Sequence, residues 1–81
     1  MTSFNAPPDA RVLWCLRRTS TDVICLLRQG ANAVEVQVLQ DRDVVLTQHF
    51  QEEGPALRWA ATYEQRLKDR GWGERPVPKA S

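Results

Sequence analysis

Residues 53–72 read EGPALRWAATYEQRLKDRGW, and this stretch decides the fold. Advanced at about 100° per residue, Ala56, Trp59, Ala60, Tyr63 and Leu67 fall within one sector roughly 100° wide. Leu57 and Ala61 flank that sector, and Arg58, Thr62, Gln65, Arg66, Lys68 and Asp69 occupy most of the rest. The pattern predicts a helix with a single buried stripe. Pro55 suits the first turn, where a missing N–H costs nothing. Glu52 and Glu53 lie near the positive end of the helix dipole, and Lys68 and Arg70 near the negative end. Glu64 and Lys68 stand four apart in the favourable order. Gly71 is the natural residue to end the helix, and Trp72 behind it can pack back onto the last turn. Ala56 and Ala60 are small, so the helix can sit close to whatever it covers.

Four extended runs precede the helix. Arg11 to Arg18 sets Val12, Trp14 and Leu16 on one face and Leu13, Cys15 and Arg17 on the other. Thr19 to Asp22 is turn chemistry. Val23 to Arg28 is apolar at nearly every position, and Gly30 and Asn32 then permit a second turn. From Val34 to Gln40, Val34, Val36 and Val38 alternate with Glu35, Gln37 and Leu39. Asp41-Arg42 closes a tight hairpin. Asp43 to Phe50 follows, with Val44, Leu46, Gln48 and Phe50 on one face and Val45, Thr47 and His49 on the other. Short connections force antiparallel neighbours. The expected fold is α+β: a four-stranded antiparallel β-meander followed by one C-terminal amphipathic helix packed on one face, in the order β-β-β-β-α. Residues 11–72 form the single domain in this reading. Residues 1–10, with Phe4 as the one large apolar side chain, and residues 73–81, with Pro76 and Pro78, are expected to be flexible.

The last two strands alternate apolar with polar, as strands with one wet face do. The first two load both faces, and one helix covers one face. The surplus calls for a second cover, because contiguous apolar patches of several hundred Å² are uncommon on monomers. Leu13, Cys15, Val23, Cys25, Leu27 and Trp72 are the candidate interface residues. A second copy of the chain is the first-ranked cover, since symmetric dimers are the commonest solution. A different protein, or the N-terminal segment with Phe4 together with arginine stems, would also serve. Cys15 and Cys25 fall out of register with each other in a regular hairpin and read as two reduced thiols.

Eighty-one residues make one domain with a modest core. A net charge of +1, with basic and acidic residues interspersed, gives no polyanion signature. No apolar run approaches the roughly 20 residues of a membrane span, and residues 1–10 lack a secretory signal pattern, so a cytoplasmic protein is expected. His49, the single histidine, has Val45 and Thr47 as its expected face neighbours and no orienting carboxylate among them. It cannot form a zinc pattern with two cysteines ten residues apart. Glu52 and Glu53 are accounted for by the helix dipole, and the four glycines form no phosphate loop. No catalytic residue, cofactor or metal is expected. The one basic constellation is Arg11, Arg17, Arg18 and Arg28 with Trp14, the residue types of a single-strand nucleic-acid groove.

Val34-Glu35-Val36-Gln37-Val38-Leu39, a tight charged turn, Phe50, two glutamates, Ala56-Leu57-Arg58-Trp59-Ala60 and a closing Arg70-Gly71-Trp72 resemble a group of small uncharacterised bacterial proteins. Those combine a Trp-bearing first strand, a valine-rich hairpin and a helix ending in Gly-Trp. The resemblance spans residues 11–72 and implies the fold but no activity; Asp41-Arg42 stands where an Asp-Gly turn belongs. The strand order is also similar to the ββββα units of single-strand nucleic-acid binders such as Whirly and PUR-alpha, which dimerise. The function expected is therefore a non-enzymatic protein acting through protein–protein contact as a homodimer. The alternative is a single-stranded DNA or RNA binder using the four arginines.

Overall fold

The computed structural model describes residues 10–74. Four antiparallel strands run in a meander and one helix packs on the sheet: β1 (Ala10–Arg18), β2 (Thr21–Gln29), β3 (Val34–Gln40), β4 (Asp43–Phe50) and α1 (Glu53–Asp69). A two-residue strand, β5 (Gly73–Glu74), then adds to the outer side of β1, giving the order β4-β3-β2-β1-β5. The sequence reading placed Gly73 and Glu74 in the tail. A two-residue strand has no periodicity to reveal it. The expected flexible segment before Ala10 and the rest of the tail after Glu74 lie outside the described residues.

The core forms between the helix and the sheet face carrying Trp14, Leu16, Val23, Cys25, Leu27, Val34, Val36 and Val38, with Ala56 and Ala60 contributed by the helix. The two alanines are the buried residues of α1, so the helix backbone lies close to the strands. Trp14 links the layers: its indole Nε1 donates to the Ala60 carbonyl at 3.1 Å, and its ring stacks on Tyr63 at 6.2 Å. Tyr63 in turn meets Trp59, and Trp59 meets Phe50 at the end of β4. Aromatic pairs of this kind add about 0.5–1.5 kcal/mol each beyond their area.

The helix has an uncapped start and a well-made end. Glu52 at the N-cap makes no side-chain capping bond. Glu53 has turned away from the dipole role alone: its carboxylate accepts from Gln29 Nε2 at 2.6 Å and Arg11 Nη2 at 3.3 Å. At the other end Gly71 adopts φ +98°. Its N–H donates to the Lys68 carbonyl, and the Trp72 N–H donates to the Leu67 carbonyl. This is the paired-bond termination that a left-handed glycine permits. Trp72 folds back against the core.

Two bulges change which side chains share a face. Val12 pairs with Leu26 but Trp14 pairs with Cys25, leaving Leu13 as an extra residue in β1. On β4, Leu46 pairs with Val38 but Val44 pairs with Leu39, leaving Val45 extra. Strict alternation put Val12 beside Trp14 and Leu16, and Val44 beside Leu46. The register puts both on the opposite face, because one inserted residue reverses every side chain beyond it.

Candidate functional site

Of the six residues expected at an interface, four are buried and two half-buried. Val23, Cys25 and Leu27 lie in the core beneath the helix, and Leu13 and Trp72 are half-buried against it. Cys15 does project from the face away from the helix, opposite Ile24. It is nonetheless only 3% exposed in the single chain, as are Leu26 at 2% and Leu39 at 8% on the same face. These three side chains, two on the first hairpin and Leu39 on β3, are already sheltered within the single chain. The bulge explains part of the difference, since it rotates Leu13 toward the core.

Cys15 and Cys25 are buried, lie on opposite faces of the sheet and form no disulfide with each other. Burial pushes the Cys25 thiol up to about 12, with smaller contributions from the Glu64 carboxylate and from Cys15. A thiol held protonated in this way is a poor nucleophile.

The four arginines do not converge. Arg17 pairs with Asp22 and Arg28 with Ala10, at opposite ends of the β1–β2 ladder. Six strand positions separate Asp22 from Arg28, about 20 Å. Arg11 and Arg18 lie toward the helix side, again at opposite ends of β1. Three of the four also face carboxylates: Arg11 reaches Glu53 at 3.3 Å, Arg17 reaches Asp22 at 2.9 Å and Arg28 lies 4.0 Å from Glu35. Trp14, the platform a bound base would need, is in the core. No continuous basic groove runs across these positions.

A polar row that the sequence reading missed crosses three strands on the face away from the helix. Arg28 pairs with Glu35, and Glu35 pairs with His49. His49 Nε2 lies 2.9 Å from Glu35 Oε2. A regular two-residue hairpin at Asp41-Arg42 would set Glu35 opposite Gln48; the extra Val45 slides His49 into that place instead. Nothing in the residue types of β4 announces the bulge. The row borders a shallow depression of about 230 Å³ lined by Arg28, Gln29, Gly30, Ala33, Glu35 and His49. This lining holds a histidine with a carboxylate but no hydroxyl or thiol for the pair to activate. Among the described residues no group of three or more His, Cys, Asp or Glu side chains is placed to hold a metal ion, and no helix is long and apolar enough to cross a membrane.

The two edges of the sheet differ. The outer side of β1 is covered at Leu16 and Arg17 by β5. Lys68 fastens β5 to the helix through Glu74 at 2.6 Å and also meets Glu64 at 3.4 Å. The bond to Glu74, with Glu64 adding, raises the Lys68 pKa, and the bond to Lys68 lowers that of Glu74. β4 has no outer neighbour among the described strands. It also carries the exposed large hydrophobics of the described residues, Val44 at 52% and Val45 at 54%. Between Leu46 and Phe50 it has no Lys, Asp, Glu or Pro, the residues that usually guard a sheet edge.

Comparison with protein-family models, curated proteins and solved structures gives no match. The resemblances drawn from the sequence remain likenesses of residue pattern and strand order.

Proposed function

We propose that this chain is a non-enzymatic cytoplasmic protein that works through protein–protein contact, pairing with a second copy of itself along β4. The observation that carries this reading is the contrast between the sheet edges. One is covered at Leu16 and Arg17 by a fastened strand; the other has no neighbour among the described strands and presents adjacent exposed valines at its bulge. Unpaired N–H and C=O groups on such an edge are a template for another strand, and exposed apolar side chains beside them favour its burial. Two buried cysteines that form no disulfide suit a reducing compartment.

Sedimentation velocity across a concentration series tests the proposal. Reversible dimerisation is expected, and Gln48→Lys, a charge at the middle of the uncovered run Leu46–Phe50, should weaken it sharply. A wild-type chain that stays monomeric at the highest concentration would overturn the reading. The single-strand nucleic-acid alternative draws no support from the scattered arginines. It would return if a labelled oligonucleotide bound at low salt with an affinity falling steeply as salt is added.

A further inference from the structure

Resting on the contact reading above, we infer the register of the pair: two β4 strands run antiparallel about a twofold axis at Gln48. The occupant is a second copy because the regular part of β4 is self-complementary. Leu46, Gln48 and Phe50 pair with Val38, Val36 and Val34 and so face the helix side; Thr47 and His49 pair with Gln37 and Glu35 and face the other. An antiparallel ladder centred on Gln48 sets Leu46 opposite Phe50 of the second copy, twice. It also sets Thr47 opposite His49, twice, with the two glutamines on the axis. Apolar meets apolar on the helix side and neutral polar meets histidine on the other, with no carboxylate or ammonium inside the ladder. His49 keeps its own Glu35 carboxylate at 2.9 Å, and the two imidazoles are not opposite each other.

The Val45 bulge selects this register. Shifting the axis toward Asp43 drives the ladder through the bulge, where side-chain facing reverses. Shifting it toward Phe50 leaves too few residues to pair. Matching faces place both helices on one side of a continuous sheet, with Phe50 and its Trp59 contact from each copy near the seam.

The same geometry limits the strength of the pair. A five-residue ladder lies at the small end of specific interfaces, so the dimer is weak and reversible. With no Lys, Arg, Asp or Glu inside the ladder, the pair should depend little on salt, whereas salt would loosen contacts to a polyanion.

The test mixes two full-length variants, Thr47→Cys and His49→Cys, under mild oxidation, with sedimentation of each run beside it. Residues directly opposite in an antiparallel ladder have Cβ atoms about 4.5–5.5 Å apart, near enough to be trapped as a disulfide. The native Cys15 and Cys25 are buried, so unmodified chain serves as the uncross-linked control. The expected result is a mixed disulfide between the two variants in clear excess over either variant with itself. Gln48→Cys, on the axis, should cross-link alone. Dimers in sedimentation without the preferred mixed product overturn the register and leave the contact reading standing. Monomers at about 1 mM, where even a weak pair at −4 kcal/mol is half formed, overturn both.

Discussion

Replacing Gly71 with alanine isolates what the end of the helix contributes. Gly71 sits at φ +98°, and a Cβ built there meets nothing within 4 Å. The substitution therefore removes no contact and creates no clash; its cost is the backbone penalty of holding an L-residue in a left-handed conformation, about 1–2 kcal/mol. Two hydrogen bonds that close the helix, from Gly71 to Lys68 and from Trp72 to Leu67, depend on that conformation. So does the path that delivers Gly73 and Glu74 to β1. For a domain of this size each kcal/mol moves Tm by about 4–8 °C, so a fall of about 4–16 °C is expected by thermal denaturation. Gly54→Ala is the control. Gly54 lies in the first turn of α1 without a positive φ, and its built Cβ makes an ordinary 3.7 Å contact with the Arg58 guanidinium. Alanine there sets a helix-propensity gain of about 0.5 kcal/mol against crowding of its Cβ by the Pro55 ring, so Tm should change little. If Gly71→Ala leaves Tm unchanged, or lowers it no further than Gly54→Ala does, the termination argument is wrong.

Three further outcomes follow from local geometry. Glu52 makes no capping bond, so Glu52→Ser should stabilise the protein by about 0.5–1 kcal/mol in urea denaturation. Asp41 and Arg42 both adopt positive φ, 50° and 77°, the pattern of a turn that prefers glycine second. Arg42→Gly should raise the denaturation midpoint by an amount corresponding to about 0.5–1 kcal/mol, even with the loss of Arg42's own contact. Cys25 should resist alkylation in the folded chain at pH 8 and react once unfolded. Its thiol titrates near 9.0 when unfolded and about 12 when folded. Its contribution is thus constant below pH 9, and stability falls as pH rises from 9 to 12, by at most about 1.4 kcal/mol per unit. A midpoint that is flat across that window would contradict the burial of this thiol.

Periodicity was sufficient for the layers. The spacing of Ala56, Trp59, Ala60, Tyr63 and Leu67 gives the helix, and alternation within Val34–Val38 gives the face it covers. Gly71 was readable because a helix end has a stereochemical requirement that one residue type meets best. The facing of side chains failed where it depended on counting through Leu13 and Val45. A bulge can accept many residue types, so no local signal marks it, yet everything beyond it reverses. Val12, Val44 and the Glu35–His49 pairing were lost to that one cause. The expected interface residues Val23, Cys25 and Leu27 were misdirected differently. A continuous apolar run on β2 does not say which of its residues meets the helix, and the register with Val38 and Val36 settles it. The arginines looked clustered because Arg11, Arg17 and Arg18 are near in sequence, whereas a strand carries its ends about 3.3 Å further apart with each residue.

The extra residue at Leu13 has a bearing on how this chain can tolerate change. It acts as a half-turn inserted in a ribbon: Arg11 comes round to the helix side, where it can grip Glu53, and Val12 goes to the far side. Substituting Leu13 would alter one side chain. Deleting it would leave a regular ladder in which Val12 still pairs with Leu26 on the far side and Arg11 with Leu27 on the helix side, within reach of Glu53. Loss of one codon at this point should therefore be tolerated, whereas loss of a second would turn Arg11 away from Glu53.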